Sequence, residues 1–141
     1  MAGFNRVSGS DKGFRRYTTS SLAITAGDLL AFSRSAGTVV KATNSTSLED
    51  LAGIAVETIA SSETSVLVQL ISKDDLFIVP LTNNSNATHN YQRMVLTDEN
   101  EVNNTGSDST SDAAVFTQLG VVGAASDKKA LGSFNLNVDR A

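Results

Sequence analysis

The sequence predicts an all-β fold, a small barrel or a sandwich of many short strands. Three observations lead there. Short apolar runs alternate with polar turns from residue 21 onward. Neither candidate helical segment reaches the ~12 residues at which an isolated helix becomes plausible. At least one run is apolar on both faces, the pattern of a covered strand.

The elements follow in order. Residues 28–34, DLLAFSR, read as a strand with Leu30 and Phe32 on one face. Residues 37–43, GTVVKAT, follow after a Gly-containing turn and make a hairpin signal, with Val40 and Ala42 on one face and Lys41 on the other. Residues 52–59, AGIAVETI, and 65–71, SVLVQLI, form a second pair across the polar ASSET. In the latter run Val66, Val68 and Leu70 share one face while Leu67, Gln69 and Ile71 share the other, which predicts a central strand. Residues 75–82, DLFIVPLT, are another strand, and Pro80 marks its end or an edge because proline cannot donate to a ladder. Residues 45–53 can form one helical turn, capped by Ser45 or Ser47 and ended by Gly53, and 107–116 can form another. The tracts 83–90 and 103–112 are rich in Asn, Ser and Thr and should be exposed loops.

The order of features suggests an internal repeat. Residues 27–82 and 91–141 each run strand, turn, short strand, polar connector, small-residue strand, turn, strand. Gly53 and Gly120 begin equivalent small-residue runs, where glycine permits a bulge or a close backbone approach.

Charge divides the chain differently. Residues 1–20 carry Arg6, Lys12, Arg15 and Arg16 against Asp11, a net +3, whereas the remainder carries 7 basic and 14 acidic residues, a net −7. This predicts a basic, extended N-terminal arm (1–20) on an acidic β domain (21–141). The acidic body argues against nucleic acid as the main partner. No apolar run approaches 18 residues, so no membrane span is expected. The first 21 residues lack the apolar core of a signal peptide. With no cysteine, disulfides and thiolate metal sites are excluded.

No catalytic constellation is legible. His89 is the only histidine, so neither a triad nor a histidine metal site can be assembled, and no cofactor is expected. Asp98, Asn100 and Glu101 faintly resemble a calcium loop, but the spacing is wrong and a hairpin turn explains them better. Asp74 and Asp75 read as a turn that starts the 75–82 strand. Only GFRRY, residues 13–17, interleaves aromatic and arginine side chains, the residue types that anchor protein interfaces.

The order ITAGDLLAFSRSAGTVVKAT, followed by LAGIAVETIASSETSVLVQLI, resembles the small capsid decoration (cement) proteins of tailed bacteriophages. The resemblance covers roughly residues 21–71 and lies in strands and turns. It implies a β-barrel or β-tulip-like module with an extended N-terminal arm, made in the host cytoplasm and carried on the outer surface of the virion. Such proteins are not enzymes. The implied partner is the major capsid protein, and the implied assembly is a homo-oligomer, with a trimer favoured. The N-terminal side chains Phe4, Arg6, Lys12, Phe14, Arg15, Arg16 and Tyr17 are then the capsid-contact candidates. Deleting 1–17 should abolish capsid binding and leave the β domain folded. The alternative is a module that binds glycan or a host surface through its polar loops, although 6% aromatic residues and no tryptophan make a poor sugar platform.

Overall fold

The computed structural model describes residues 3–9, 13–105 and 108–136. Twelve strands occur among them: β1 (Asn5–Ser8), β2 (Phe14–Thr18), β3 (Leu29–Ser33), β4 (Thr38–Lys41), β5 (Leu51–Ala55), β6 (Ser65–Gln69), β7 (Leu76–Pro80), β8 (Arg93–Met94), β9 (Leu96–Asp98), β10 (Glu101–Val102), β11 (Phe116–Val121) and β12 (Lys129–Phe134). They build one sheet ordered β2-β6-β5-β3-β4, a second ordered β1-β7-β12-β11-β8, and the hairpin β9-β10. The pairings within all three are antiparallel. The protein is thus all-β, in the form of a sandwich and not a closed barrel.

Two apolar cores hold the sheets. The larger one lies between them and joins Leu29, Ala31, Leu51 and Ile54 of the first sheet to Phe77, Val79, Phe116 and Phe134 of the second. Phe134 is its centre, with Phe4, Phe77 and Phe116 edge-on at 5.6, 5.0 and 5.7 Å between ring centroids. Each such pair contributes about 0.5–1.5 kcal/mol beyond its buried area. The smaller core covers the opposite face of the first sheet, where Leu30, Val39, Ala52, Val66 and Val68 pack with Ile24 and Ile59. The first sheet is therefore buried on both faces, which is why β5 is buried at every position. It also curls, bringing Cα atoms of its two outermost strands, β2 and β4, within 8 Å of each other.

Most of the expected strands form, with shifts. In β4 the inward residue is Val39, while Val40 is exposed; Ala42 lies past the strand end and enters the larger core instead. A 3-10 turn covers Leu48–Asp50 as expected, with Ser47 at its N-terminal boundary making no side-chain cap. Gly53 does not end that turn. It sits inside β5 with φ +152°, where a Cβ would lie 2.4 Å from the Gln69 carbonyl oxygen, and the β3–β5 register shifts beside it. No helix forms among the described residues of 107–116; the other 3-10 turns are Ala87–His89 and Ala125–Asp127. Asp98 to Glu101 make a hairpin turn. Asp75 closes a turn by accepting from the Ser72 amide (2.9 Å) while Asp74 is exposed. The Asn-rich loops are mostly exposed, but Asn104 is buried and ties them together, accepting from Asn83 N and donating to the Asn83 and Asn84 carbonyls.

The two sheets share one connectivity. The first runs β2-β6-β5-β3-β4; the second has β7-β12-β11-β8, with β9-β10 continuing from β8. Where β3 pairs with β5 and β4 at once, its counterpart is split into β8 and β9. The strand β7 thus belongs with the second sheet, so the sheet division falls before it and not after residue 82.

The N-terminal segment is not an arm apart from a body. β1 extends the second sheet by pairing with β7, and β2 extends the first by pairing with β6. Phe4, 2% exposed, anchors this segment in the larger core. A deletion of 1–17 would remove a strand from each sheet and cannot leave the rest intact.

Candidate functional site

β2 is the outermost strand of the first sheet, and its ladder fixes which way each group points. Thr19 donates its N–H to Thr64 O (2.9 Å) and Gly13 O accepts from Leu70 N (3.1 Å). In an antiparallel pair the bonded residues alternate. Arg15 and Tyr17 therefore face β6 with their backbone groups, while the N–H and C=O of Phe14, Arg16 and Thr18 point outward. No strand among the described residues pairs with that outer side.

The side chains sort by face. Arg15 and Tyr17 stand opposite Val68 and Val66, on the side of the smaller core. Tyr17 packs on that core and meets Phe32 edge-on at 5.4 Å. Arg15 is exposed and makes no ion pair among the described residues. Phe14 and Arg16 lie on the other face. Phe14 is 54% exposed, high for a phenylalanine. Arg16 Nη1 reaches Glu57 Oε1 at 2.8 Å. That carboxylate also accepts from the Leu67 amide at 2.9 Å. The backbone donor first, and Arg16 second, hold Glu57 below the usual glutamate range.

Beside Tyr17 the seam between β2 and β4 opens into a groove of about 380 Å³, lined by Tyr17, Thr18, Phe32, Arg34, Thr38 and Val39 among others. The Arg34 guanidinium sits 5.6 Å from the centre of the Phe32 ring. It is steadied by Asp50 (2.7 Å) and the Glu49 carbonyl (3.0 Å).

The seven candidate residues thus separate. Phe14, Arg15, Arg16 and Tyr17 come together on one strand. Phe4 is interior. Arg6, with its side chain 20% exposed, lies 3.9 Å from Asp75. With the Gln69 amide turned to satisfy both groups, its oxygen accepts from Arg6 Nη2 and Nε at 3.2 and 3.1 Å. Lys12 lies outside the described residues. Sequence reasoning missed Phe32 and Arg34 as part of this surface. The only local signal was their closeness, two residues apart at the end of a strand, which places them on one face.

Among the described residues no group of three or more His, Asp or Glu could hold a metal ion. His89 sits half-buried in the 87–89 turn. No protein-family model matches the chain, and no curated protein sequence matches it.

Proposed function

We propose that the protein is a structural component of a virion, binding the outer surface of a tailed-phage capsid and tying neighbouring major capsid protein subunits together. The observation that carries this reading is the β2 surface: an exposed Phe14 and an exposed Arg15 on an edge that no described strand covers, in a sheet that is packed on both faces. Exposed aromatic and arginine side chains on a rigid scaffold suit protein docking. The resemblance of residues 21–71 to capsid decoration proteins names the partner. Bound only to the assembled shell, such a protein stabilises assembly by mass action. The role is structural, not catalytic, and the resemblance favours a trimer.

The test uses shells of the encoding phage prepared without this protein. The full chain should saturate them at a fixed ratio. The double variant Phe14→Ala, Arg15→Ala should bind at least about tenfold more weakly with unchanged melting, as expected for truncating two anchors. Failure of the wild-type chain to bind such shells would overturn the reading. Light scattering on the free chain should give a trimer mass.

A further inference from the structure

β7 holds the same place in the second sheet that β2 holds in the first. Leu81 N donates to Lys128 O (2.8 Å) just as Thr19 N donates to Thr64 O (2.9 Å), so Leu81 matches Thr19 and Ile78 matches Arg16. The outer side of β7 is occupied twice. β1 pairs with Leu76, Phe77 and Ile78, and beyond it Leu81 bridges to Val102 of β10. The matching outer side of β2 meets no strand among the described residues, and the matching seam is the open groove beside Tyr17.

From this we infer that the outer edge of β2 accepts an extended, acidic strand from another protein, antiparallel, as β1 lies on β7. The reading rests on the two edges, and it deepens the capsid proposal by stating how a partner would be held. The incoming strand exchanges backbone hydrogen bonds with Phe14 and Arg16, whose groups point outward. It does not run the whole seam, because β2 and β4 approach within 8 Å and two strand spacings need about 9.6 Å. Cross-strand partners share a face. The residue opposite Tyr17 therefore enters the groove formed with Phe32 and Val39, and an apolar side chain fits there. The residue opposite Arg15 meets an exposed guanidinium without an ion pair among the described residues, and a carboxylate fits there. Read from N to C, the partner's motif is apolar, any, acidic. A second copy of this chain is a poor occupant through the same edge, since antiparallel β2 strands would bring their arginines together.

The probe is a displayed library of random linear peptides panned on the full-length chain. Enriched peptides should lack proline within the motif and carry an apolar residue two positions before Asp or Glu. Arg16→Pro removes an outward N–H but no bond to β6, so the fold should survive, as prolines do on strand edges. It should weaken the selected peptides at least about tenfold, while Arg16→Ala changes their affinity less than about threefold. Arg15→Glu should reverse the preference for acidic peptides. Amide exchange at Val66 and Val68 checks that each variant keeps β6 paired. Three results would overturn the inference: no enrichment, as expected if the two arginines only shield the edge from aggregation; equal loss in Arg16→Ala and Arg16→Pro; or concentration-dependent self-association that Arg16→Pro abolishes. Shell binding is measured in parallel. Peptide enrichment without shell binding removes the capsid partner alone; shell binding by Arg16→Pro at wild-type affinity removes strand addition alone.

Discussion

β7 and β2 occupy equivalent places in two sheets of the same connectivity, yet among the described residues one is covered and the other open. β7 has β1 on its free side, with Phe4 driven into the core behind it. β2 has a shallow groove and two arginines. The difference shows how a chain can fill one strand edge for stability and leave its counterpart available. It also explains Pro80. Lys129 stands opposite it, and in this ladder the backbone groups of residues 76, 78 and 80 point away from β12. A missing N–H at 80 therefore forfeits no bond to β12, and it falls just past the end of β1.

The largest effect is expected at the filled edge. Phe4→Ala should cost about 3–5 kcal/mol, the range for emptying a buried phenylalanine site, and should release β1 from β7. Urea unfolding measures it; a loss below about 1 kcal/mol would mean β1 is not held by this anchor. Next in size is a matched pair of prolines. Ile78→Pro removes an N–H on the side where β1 lies, and Arg16→Pro removes the equivalent N–H on a side where no described strand pairs. The first should be less stable than the second by about 1–3 kcal/mol, the cost of losing a backbone bond and leaving its partner unpaired. Equal thermal midpoints would erase the distinction between the edges.

Two smaller effects are pH-dependent. Glu57, held below its usual range by the Leu67 amide and Arg16, contributes stability that is present above its unfolded-state pKa and lost as pH falls through its lower folded value. Acid should therefore loosen the middle of β2, at Arg16, and Glu57→Gln should flatten that part of the stability–pH curve. Asp28 is the opposite case. Burial, partly offset by the Thr25 amide and aided by Glu99, raises its pKa. Its ionised form is disfavoured by folding, so this group's contribution improves as pH falls. Asp28→Asn, which keeps an acceptor for Thr25, should match or slightly exceed wild-type stability at pH 7 in thermal melts. A clear loss at pH 7 would contradict this.

Much of the sheet core was legible in the sequence. Val66 and Val68 are buried in the smaller core, and Ile71, from the other face of the same run, belongs to the larger. Runs apolar on both faces implied such a doubly covered sheet. The N-terminal strands were not legible. Phe14 to Thr18 carry one inward aromatic among exposed and charged residues, and their strand form is imposed by pairing with β6, some 50 residues away. Phe4 gave no sign of being interior because its partner, Phe134, lies at the far end of the chain. The one-residue slip at Val39 and Val40 has the same origin: two adjacent valines fit either face, and packing decides. For the candidate surface, interleaved aromatics and arginines located the right strand. The groove beside it was hidden because it joins β2 to β3 and β4 across the curl of a sheet.

The most direct test is native-state amide hydrogen exchange on the free protein, read at Ile78 and Arg16. Strong protection is expected at Ile78, whose N–H faces β1, and exchange close to the unprotected rate at Arg16, whose N–H faces an edge that no described strand covers. Comparable protection at both amides would contradict it, because the outer side of β2 would then already be filled.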